Sequence, residues 1–230
     1  MANEVALIVG AGKGLSASLA RGCARRGMSV ALAARSTDKL AELLAETGAK
    51  AYACDASRPA AVQALFRAVA AELGTPTLVV YNASARARGP LIEIDPVQVA
   101  KSLEITAFGG FLVVQEAAKR MLPLGRGSIL LTGASASVKG YAQSAPFAMG
   151  KFALRGLAQS AARELAPKGI HVAHFVIDGG IRAPGEARAD RGPDGFLDPD
   201  AIAQTYLQIH DQPRSAWTWE VELRPWVEAF

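Results

Sequence analysis

Short apolar runs rich in β-forming residues alternate with longer amphipathic stretches along the chain up to about Gly185. The apolar runs predict strands over residues 5–9, 29–33, 49–54, 77–81, 128–132, 170–177 and, near the end of the chain, 217–223. The amphipathic stretches predict helices over residues 15–26, 38–46, 59–73, 97–121 and 147–166, with one more after Asp198. Strands that are apolar almost throughout are typical of a parallel sheet covered on both faces. The pattern therefore predicts an α/β fold, a doubly wound parallel sheet of about seven strands with helices on both faces.

Length and composition fit one domain. The 230 residues are 50% hydrophobic and 20% charged, so residues 1–230 are expected to share a single core. No apolar run approaches the roughly 20 residues that a bilayer requires, and the first residues lack the pattern of a signal peptide. Cys23 and Cys54 fit neither a disulfide framework nor a metal-binding spacing, which indicates a reducing compartment. We therefore expect a cytoplasmic protein that does not associate with membranes.

The charges are dispersed along the chain. Lys and Arg outnumber Asp and Glu by 25 to 21, and no basic run is interleaved with aromatic residues. This distribution argues against a nucleic-acid partner. It fits one small anionic ligand, because a phosphate needs only one or two well-placed cations.

The three histidines do not predict a metal site. His171 and His174 lie three residues apart on a predicted strand, so their side chains point to opposite faces of the sheet. His210 is isolated from both. Structural histidines with satisfied hydrogen bonds are therefore expected.

A glycine-rich segment, GAGKGLS at residues 10–16, joins the first predicted strand to the first predicted helix. A tight glycine turn lets the backbone approach a pyrophosphate, and the helix that follows presents free N–H groups and a partial positive charge to it. The strict dinucleotide-binding spacing fits only from Gly12 onward, and a purely structural turn is the alternative. The position in the first βα unit favours a nucleotide site.

Arg35 stands just after the second predicted strand, where dinucleotide-binding proteins distinguish their cofactors, and no carboxylate accompanies it. An acidic residue there would bind the ribose 2′-hydroxyl of NAD, whereas an arginine can face the 2′-phosphate of NADP. Lys13 in the glycine turn supplies a second cation. The two cations together predict NADP(H) as the cofactor, although a solvated surface charge is the alternative for either one alone.

These segments together resemble the short-chain dehydrogenase/reductase family over nearly the whole chain. Gly10 and Gly14 match the family's phosphate-binding turn, with Ser16 in place of its third glycine. After the fourth predicted strand, Asn82 and Ala83 resemble the centre of the family's Asn-Asn-Ala-Gly motif.

The resemblance implies a full set of cofactor contacts. Asp55 looks like the family's adenine-contacting acid, and Ile181, after the sixth predicted strand, would bind the nicotinamide carboxamide through its backbone. The implied cofactor-binding residues are Gly10, Lys13, Gly14, Leu15, Arg35, Asp55, Ala56, Asn82, Ala83, Lys151, Gly179 and Ile181.

The catalytic residues depart from the family pattern. In the family, hydride moves to or from the nicotinamide while a tyrosine, four residues before a lysine, gives or takes the proton and a serine orients the carbonyl. Here Lys151 is retained, but Phe147 stands at the tyrosine position, and a phenyl ring carries no ionisable proton. Alanine stands where the spacing predicts the serine, so the neighbouring Ser135 is the surrogate. The assisting asparagine is also missing, with Glu104 or Thr106 near its place.

Two residues could replace the proton donor. Tyr141 lies in the loop before the Lys151 helix, and Asp178 ends a predicted strand at the edge where doubly wound sheets bind ligands. A surface tyrosine and an aspartate that accepts hydrogen bonds from a turn are the alternatives. The predicted catalytic set is Lys151, Ser135 and Tyr141.

The sequence thus predicts an NADP(H)-dependent oxidoreductase of the short-chain type that acts on a small carbonyl or alcohol through a non-standard proton donor. A catalytically inactive NADP(H)-binding protein, acting as a sensor, scaffold or inactive subunit, is the alternative, and chemistry without net redox also stays open. Residues 181–197, rich in Gly, Pro, Arg and Asp, predict a loop, which the resemblance makes a substrate lid. The resemblance also implies a homodimer or homotetramer formed through the helices at 97–121 and 147–166.

Overall fold

The computed structural model describes residues 4–182, 192 and 194–228, and this part of the chain contains one sheet of seven parallel strands. The strands are β1 (Val5–Val9), β2 (Ser29–Ala34), β3 (Lys50–Ala53), β4 (Leu78–Tyr81), β5 (Gly127–Thr132), β6 (Ile170–Ile177) and β7 (Glu220–Leu223). β1 and β4 are buried at every residue, as their uninterrupted apolar sequences predict.

The strand order creates a crevice near the middle of the sheet. It runs β3-β2-β1-β4-β5-β6-β7, so the chain adds strands in one direction up to β3 and then in the other. β1 therefore pairs with β2 on one side and with β4 on the other. The connections after β1 and β4 leave the sheet in opposite directions, which opens a crevice at their carboxyl ends. Doubly wound sheets bind their ligands at such a point.

Helices cover both faces of the sheet. They are α1 (Leu15–Arg25), α2 (Ala41–Thr47), α3 (Pro59–Glu72), α4 (Pro96–Leu103), α5 (Gly109–Met121), α6 (Ala145–Leu165) and α7 (Pro199–His210). Apolar residues of α1, α2 and α7 bury one face of the sheet, and those of α3, α5 and α6 bury the other. α4 and α7 begin with proline after an aspartate, Asp95 or Asp198, whose carboxylate accepts a hydrogen bond from the N–H two residues on.

The helix predicted over residues 97–121 is interrupted. A π-helical turn, Glu104–Phe108, separates α4 from α5. At this turn the buried hydroxyl of Tyr81 donates a hydrogen bond to the carbonyl of Ile105. Gly109 follows directly, and a Cβ there would lie 2.5 Å from that hydroxyl. The sheet thus inserts a polar group into the helix, a local cause of a π-helical turn that the helical periodicity alone does not reveal.

One helical stretch of the described residues, Pro96–Leu124, is long and apolar enough to cross a membrane by length and composition. Such a stretch was not predicted from the sequence, because charged residues such as Lys101 and Glu104 interrupt the apolar residues of this segment. In this fold α5 packs against α3 and α6. A helix in the core of a protein meets the same criterion.

The predicted fold class is confirmed, and six of the seven strands agree with prediction to within one residue at each end. The last strand is shorter than predicted, because Trp217 and Thr218 hydrogen bond to Gln212 before β7 begins at Glu220. The loop predicted over residues 181–197 lies largely outside the described residues.

Candidate active site

The glycine turn leaves the carboxyl end of β1 and packs directly on the loop after β4. Gly10 has a φ of +89°, in the left-handed region that favours glycine. Its N–H and that of Ala11 both donate to the carbonyl of Ala33 at 2.9 Å. A Cβ at Gly10 would lie only 2.4 Å from the amide nitrogen of Ala83, so no larger residue fits without moving one of the loops.

Ser16 connects the glycine turn to the β4 loop. Its Oγ donates to the carbonyl of Gly10 at 3.1 Å and accepts from Asn82 Nδ2 at 2.7 Å. Ser16 is buried, so water does not compete strongly for these bonds. Ser16 thus fixes the Asn82 side chain against the turn.

A cleft of about 240 Å³ lies at the carboxyl ends of β1, β2, β3 and β4. Of the residues predicted to bind the cofactor, its lining includes Gly10, Arg35, Asp55, Ala56, Asn82 and Ala83. Lys39 and Ile105 line it as well. The fold therefore brings five separate sequence segments to one concave surface.

Asp55 is held as a hydrogen-bond acceptor at the edge of this cleft. Its Oδ1 accepts from the N–H of Ser57 at 3.0 Å and from the hydroxyl of Ser57 at 2.7 Å. These hydrogen bonds, aided by attraction to Arg58 and Arg35, lower the pKa of Asp55. The carboxylate is thus charged and fixed in orientation at neutral pH, as an acceptor for a ligand N–H group requires.

Six further residues predicted to bind the cofactor lie outside the lining of the cleft, and one of them, Lys151, is described below. Lys13 is exposed in the glycine turn, Gly14 caps α1 and Leu15 is buried in the core. Gly179 and Ile181 follow β6 at the same carboxyl edge of the sheet. Their assignment to the cofactor remains a prediction.

Lys151 is a buried lysine on α6. Its Nζ donates to the carbonyl of Thr132 at 2.7 Å, and the residue is only 3% exposed. Burial, followed by repulsion from Arg86, lowers the pKa of Lys151 to about 7. Phe147, one helical turn earlier, has its ring centroid 5.8 Å from Nζ. The amine can therefore exchange a proton near neutral pH, whereas the adjacent ring cannot.

Ser135 lies in the 3-10 turn Ser135–Ser137 that follows β5. It is partly exposed, and its hydroxyl hydrogen bonds to none of the residues that the structure describes. Ser137 is instead fully buried, and its Oγ accepts from the N–H of Ala134 at 3.1 Å. Of the two serines, only Ser135 is open to a ligand.

Ser137 starts a buried chain of hydrogen bonds that runs to the edge of the sheet. Its Oγ lies 3.2 Å from His174 Nε2, and His174 Nδ1 lies 3.0 Å from Glu220 Oε2. Arg155 holds the same carboxylate through two bonds of 2.7 Å. With the proton on Nδ1, the imidazole donates to Glu220 and accepts from Ser137, so both ring nitrogens are satisfied. The chain fixes the turn that carries Ser135 on the sheet.

Tyr141 and Asp178 both lie beside Lys139. Lys139 Nζ is 6.0 Å from the centroid of the Tyr141 ring and 3.5 Å from Asp178 Oδ2. Arg224 approaches the same carboxylate oxygen at 2.8 Å. Asp178 is therefore an ion-pair partner of two cations, while Tyr141 is 45% exposed and open to ligand.

Comparison with known protein families identifies the chain. The model of the short chain dehydrogenase family matches residues 4–190. The chain belongs to the short-chain dehydrogenase family.

Relatives of the short-chain dehydrogenase family match most of the chain. A D-threitol dehydrogenase of Mycolicibacterium smegmatis is 30% identical over 174 residues, which are 74% of this chain and 67% of the relative. The crystal structure of a short-chain dehydrogenase from Rhodopseudomonas palustris has 36% identity and a TM-score of 0.85, covering 97% of this chain and 99% of that one. A metagenomic short-chain oxidoreductase, crystallised in complex with NADP, has 28% identity and a TM-score of 0.84, covering 96% and 97%.

Two features of this short-chain dehydrogenase were not predicted. Lys39, in the 3-10 turn Asp38–Leu40, lines the cleft, and no pattern in the sequence singled it out. The contact of Ser137 with His174 depends on the pairing of distant strands, which local patterns do not encode. As predicted, His171 and His174 point to opposite faces of the sheet, because they alternate with Ala173 and Val172, which pack in the two cores on either side of it. Among the described residues no cluster of metal ligands occurs.

The His174 contacts generate a pH prediction. Burial lowers the pKa of His174 to about 4, whereas an unfolded histidine titrates near its ordinary value of 6.5. The unfolded chain therefore binds the extra proton first, and stability falls as pH drops from about 6.5 to about 4, by up to about 1.4 kcal/mol per pH unit from this residue. Denaturant unfolding across that range should show a shallower pH dependence in His174→Gln.

His171→Gln removes a second histidine whose pKa burial lowers, so it should also make the dependence shallower. The matched control is Gln208→Ala, which changes an exposed, non-titrating residue on α7. Imidazole NMR of the folded protein gives the direct readout. A His174 resonance that titrates near pH 6.5 would contradict the assignment of a neutral, buried ring.

Proposed function

We propose that this chain is an NADP(H)-dependent oxidoreductase that transfers hydride between the nicotinamide and a small carbonyl or alcohol. The observation that carries the proposal is the cleft at the strand-order reversal, lined by the glycine turn, Arg35, Asp55 and Asn82. Membership of the short-chain dehydrogenase family supports the same activity. The NADP complex of the metagenomic relative supports the choice of cofactor.

The cleft is chemically suited to NADP(H). Gly10 lets the turn pack against the β4 loop, and a Cβ at Gly12 or Gly14 would meet no atom within 4 Å, so the backbone there is open to a close-lying pyrophosphate. Arg35 and Lys39, both exposed, provide two cations for a 2′-phosphate, and Asp55 provides an acceptor for the adenine. No acid takes the place of Arg35 directly after β2. This charge pattern favours NADP(H) over NAD(H).

Lys151 is our candidate for the group that holds the transferred proton. On the family resemblance, Phe147 stands where a tyrosine would act, and its ring has no proton to give. Lys151 Nζ lies beside that ring, is buried, and has a pKa of about 7, which suits a general acid at neutral pH. Ser135 would orient the carbonyl oxygen through its free hydroxyl, with Tyr141 as the second candidate donor. When bound, the nicotinamide would supply or accept the hydride.

The second candidate function is an inactive NADP(H)-binding protein, favoured by Phe147 and by the alanine at the expected serine position. It predicts tight NADPH binding with no turnover across a broad carbonyl panel. The oxidoreductase predicts binding followed by consumption of NADPH with at least one carbonyl. Both share the cofactor site, so only turnover distinguishes them.

We further propose a cytoplasmic homodimer or homotetramer that binds neither membranes nor nucleic acids. The two buried free cysteines fit a reducing compartment. Exposed apolar side chains on the two long helical stretches, Phe108, Phe111, Met149 and Phe152, offer surface for contact between subunits.

Lys151→Ala should lower NADPH-dependent carbonyl reduction by at least about 100-fold, because it removes the proton donor. In the wild type, the reduction rate should fall as pH rises through about 7, because the Lys151 ammonium group loses its proton. Stopped-flow single turnovers at saturating NADPH measure the chemical step. Lys168→Ala, on an exposed turn, is the matched control. Unchanged turnover in Lys151→Ala would refute the role.

Arg35→Ala should lower the preference for NADPH over NADH by about tenfold or more, the cost of one charge-assisted bond. The loss should appear in kcat/KM for NADPH and leave that for NADH nearly unchanged. Arg25→Ala, an exposed arginine at the far end of α1, should change neither value. An unaltered ratio of kcat/KM for NADPH to that for NADH in Arg35→Ala would contradict the assignment of Arg35 to the 2′-phosphate.

Phe147→Tyr tests the hypothesis that the chain is an inactive NADP(H)-binding protein. If the wild type binds NADPH without turnover, this variant should acquire reductase activity, because it places a phenol one helical turn from Lys151. Phe147→Leu is the control, since it changes the ring but adds no hydroxyl. Absence of activity in both variants would show that more than the acid is missing.

A further inference from the structure

Arg86 stacks on the residue that stands at the family's tyrosine position. Its guanidinium carbon lies 4.1 Å from the centroid of the Phe147 ring. Lys151 Nζ lies 5.8 Å from the same centroid. One aromatic ring is therefore shared by two cations, one exposed and one buried. An exposed guanidinium on an aromatic platform keeps its N–H groups free for a ligand.

The backbone beside Arg86 is fixed by two buried hydroxyl groups. The N–H of Ala85 donates to Thr106 Oγ1 at 3.1 Å, and the carbonyl of Ala85 accepts from Ser102 Oγ at 3.0 Å. Ser102 is 3% exposed and Thr106 is fully buried. Thr106, near the place of the expected asparagine, thus positions the loop that carries Arg86. The guanidinium is presented from an anchored backbone.

Among the described residues, no carboxylate pairs with the two cations beside Phe147, Arg86 and Lys151. Other cations at this edge do pair: Lys139 and Arg224 both contact Asp178. Partial burial and repulsion from Arg88 lower the pKa of Arg86, but a guanidinium stays protonated in proteins. The region therefore attracts an anion.

We propose that Arg86 binds a carboxylate of the substrate, so that the preferred substrates are oxo acids or hydroxy acids rather than neutral carbonyls and alcohols. The planar fork of a guanidinium matches a carboxylate through two parallel hydrogen bonds. Stacked on Phe147 and beside Lys151, it would hold such a substrate next to the proton donor. This inference rests on the proposed oxidoreductase function and narrows its substrate class.

The test uses benzoate and its neutral isostere benzamide as probes of the full-length protein, with and without saturating NADPH. Calorimetry should show benzoate binding at least about tenfold more tightly than benzamide, as expected for a charge-assisted pair. Arg86→Gln should abolish that preference. Arg67→Gln, an exposed arginine on α3, should retain it. Arg86→Lys keeps the charge but not the fork and should retain only part of it.

Equal affinity for benzoate and benzamide would overturn the proposal, and so would a preference that survives in Arg86→Gln. Thermal unfolding of each variant identifies any loss of folding, and Arg86→Lys then serves as the informative variant. NADPH fluorescence in the same samples reports cofactor binding separately. Failure of the proposed function would appear as absent NADPH binding, whereas failure of this inference would appear as a missing carboxylate preference with NADPH bound.

Discussion

The close approach of Gly10 to the backbone of Ala83 is the contact on which the rest of the site depends. β1 and β4 are neighbours only because the strand order reverses there, and their two loops meet with no room for a Cβ between them. Ser16 then bonds to both loops, to the carbonyl of Gly10 and to the side chain of Asn82. The strand order thus creates the cleft, and the contacts of Gly10 and Ser16 hold its two loops together.

Farther along the carboxyl edge of the sheet, two cations, Lys151 and Arg86, lie around the Phe147 ring. Lys151 is buried on α6 without a carboxylate partner among the described residues. This costly arrangement is partly offset because Nζ donates a hydrogen bond to the backbone carbonyl of Thr132. Arg86, which is carried by an anchored loop, stacks on the Phe147 ring. Its positive charge lowers the pKa of Lys151 further. In our account, the two cations have different roles: Lys151 donates the proton, and Arg86 binds the carboxylate of the substrate.

How much the sequence predicts depends on the range of the interactions involved. Apolar runs such as β1 and β4 encode their own burial, so the parallel sheet and its helices follow from periodicity. Arg35 and Asp55 reach the cleft because they directly follow strands, which fixes their position at the carboxyl edge. The π-helical turn at Glu104–Phe108 escapes prediction, since its cause is a hydroxyl from β4, far away in sequence.

The same limit applies to the catalytic edge. The bonds of His174 with Ser137 and Glu220 require β7 to lie beside β6, and the stacking of Arg86 on Phe147 requires the β4 loop to pack on α6. Neither contact has a local signature. The resemblance predicts departures from the family's catalytic pattern, but the residues that surround those positions could be found only in three dimensions.

The measurement that tests the central claim most directly is isotope transfer from NADPH deuterated at C4 to a panel of carbonyl compounds that includes oxo acids. Mass spectrometry of the organic products reports whether the hydride itself has moved. Our account predicts deuterium on the carbinol carbon of at least one product, in an amount equal to the NADPH consumed. Bound NADPH that stays intact across the panel, or products formed without deuterium, would contradict it.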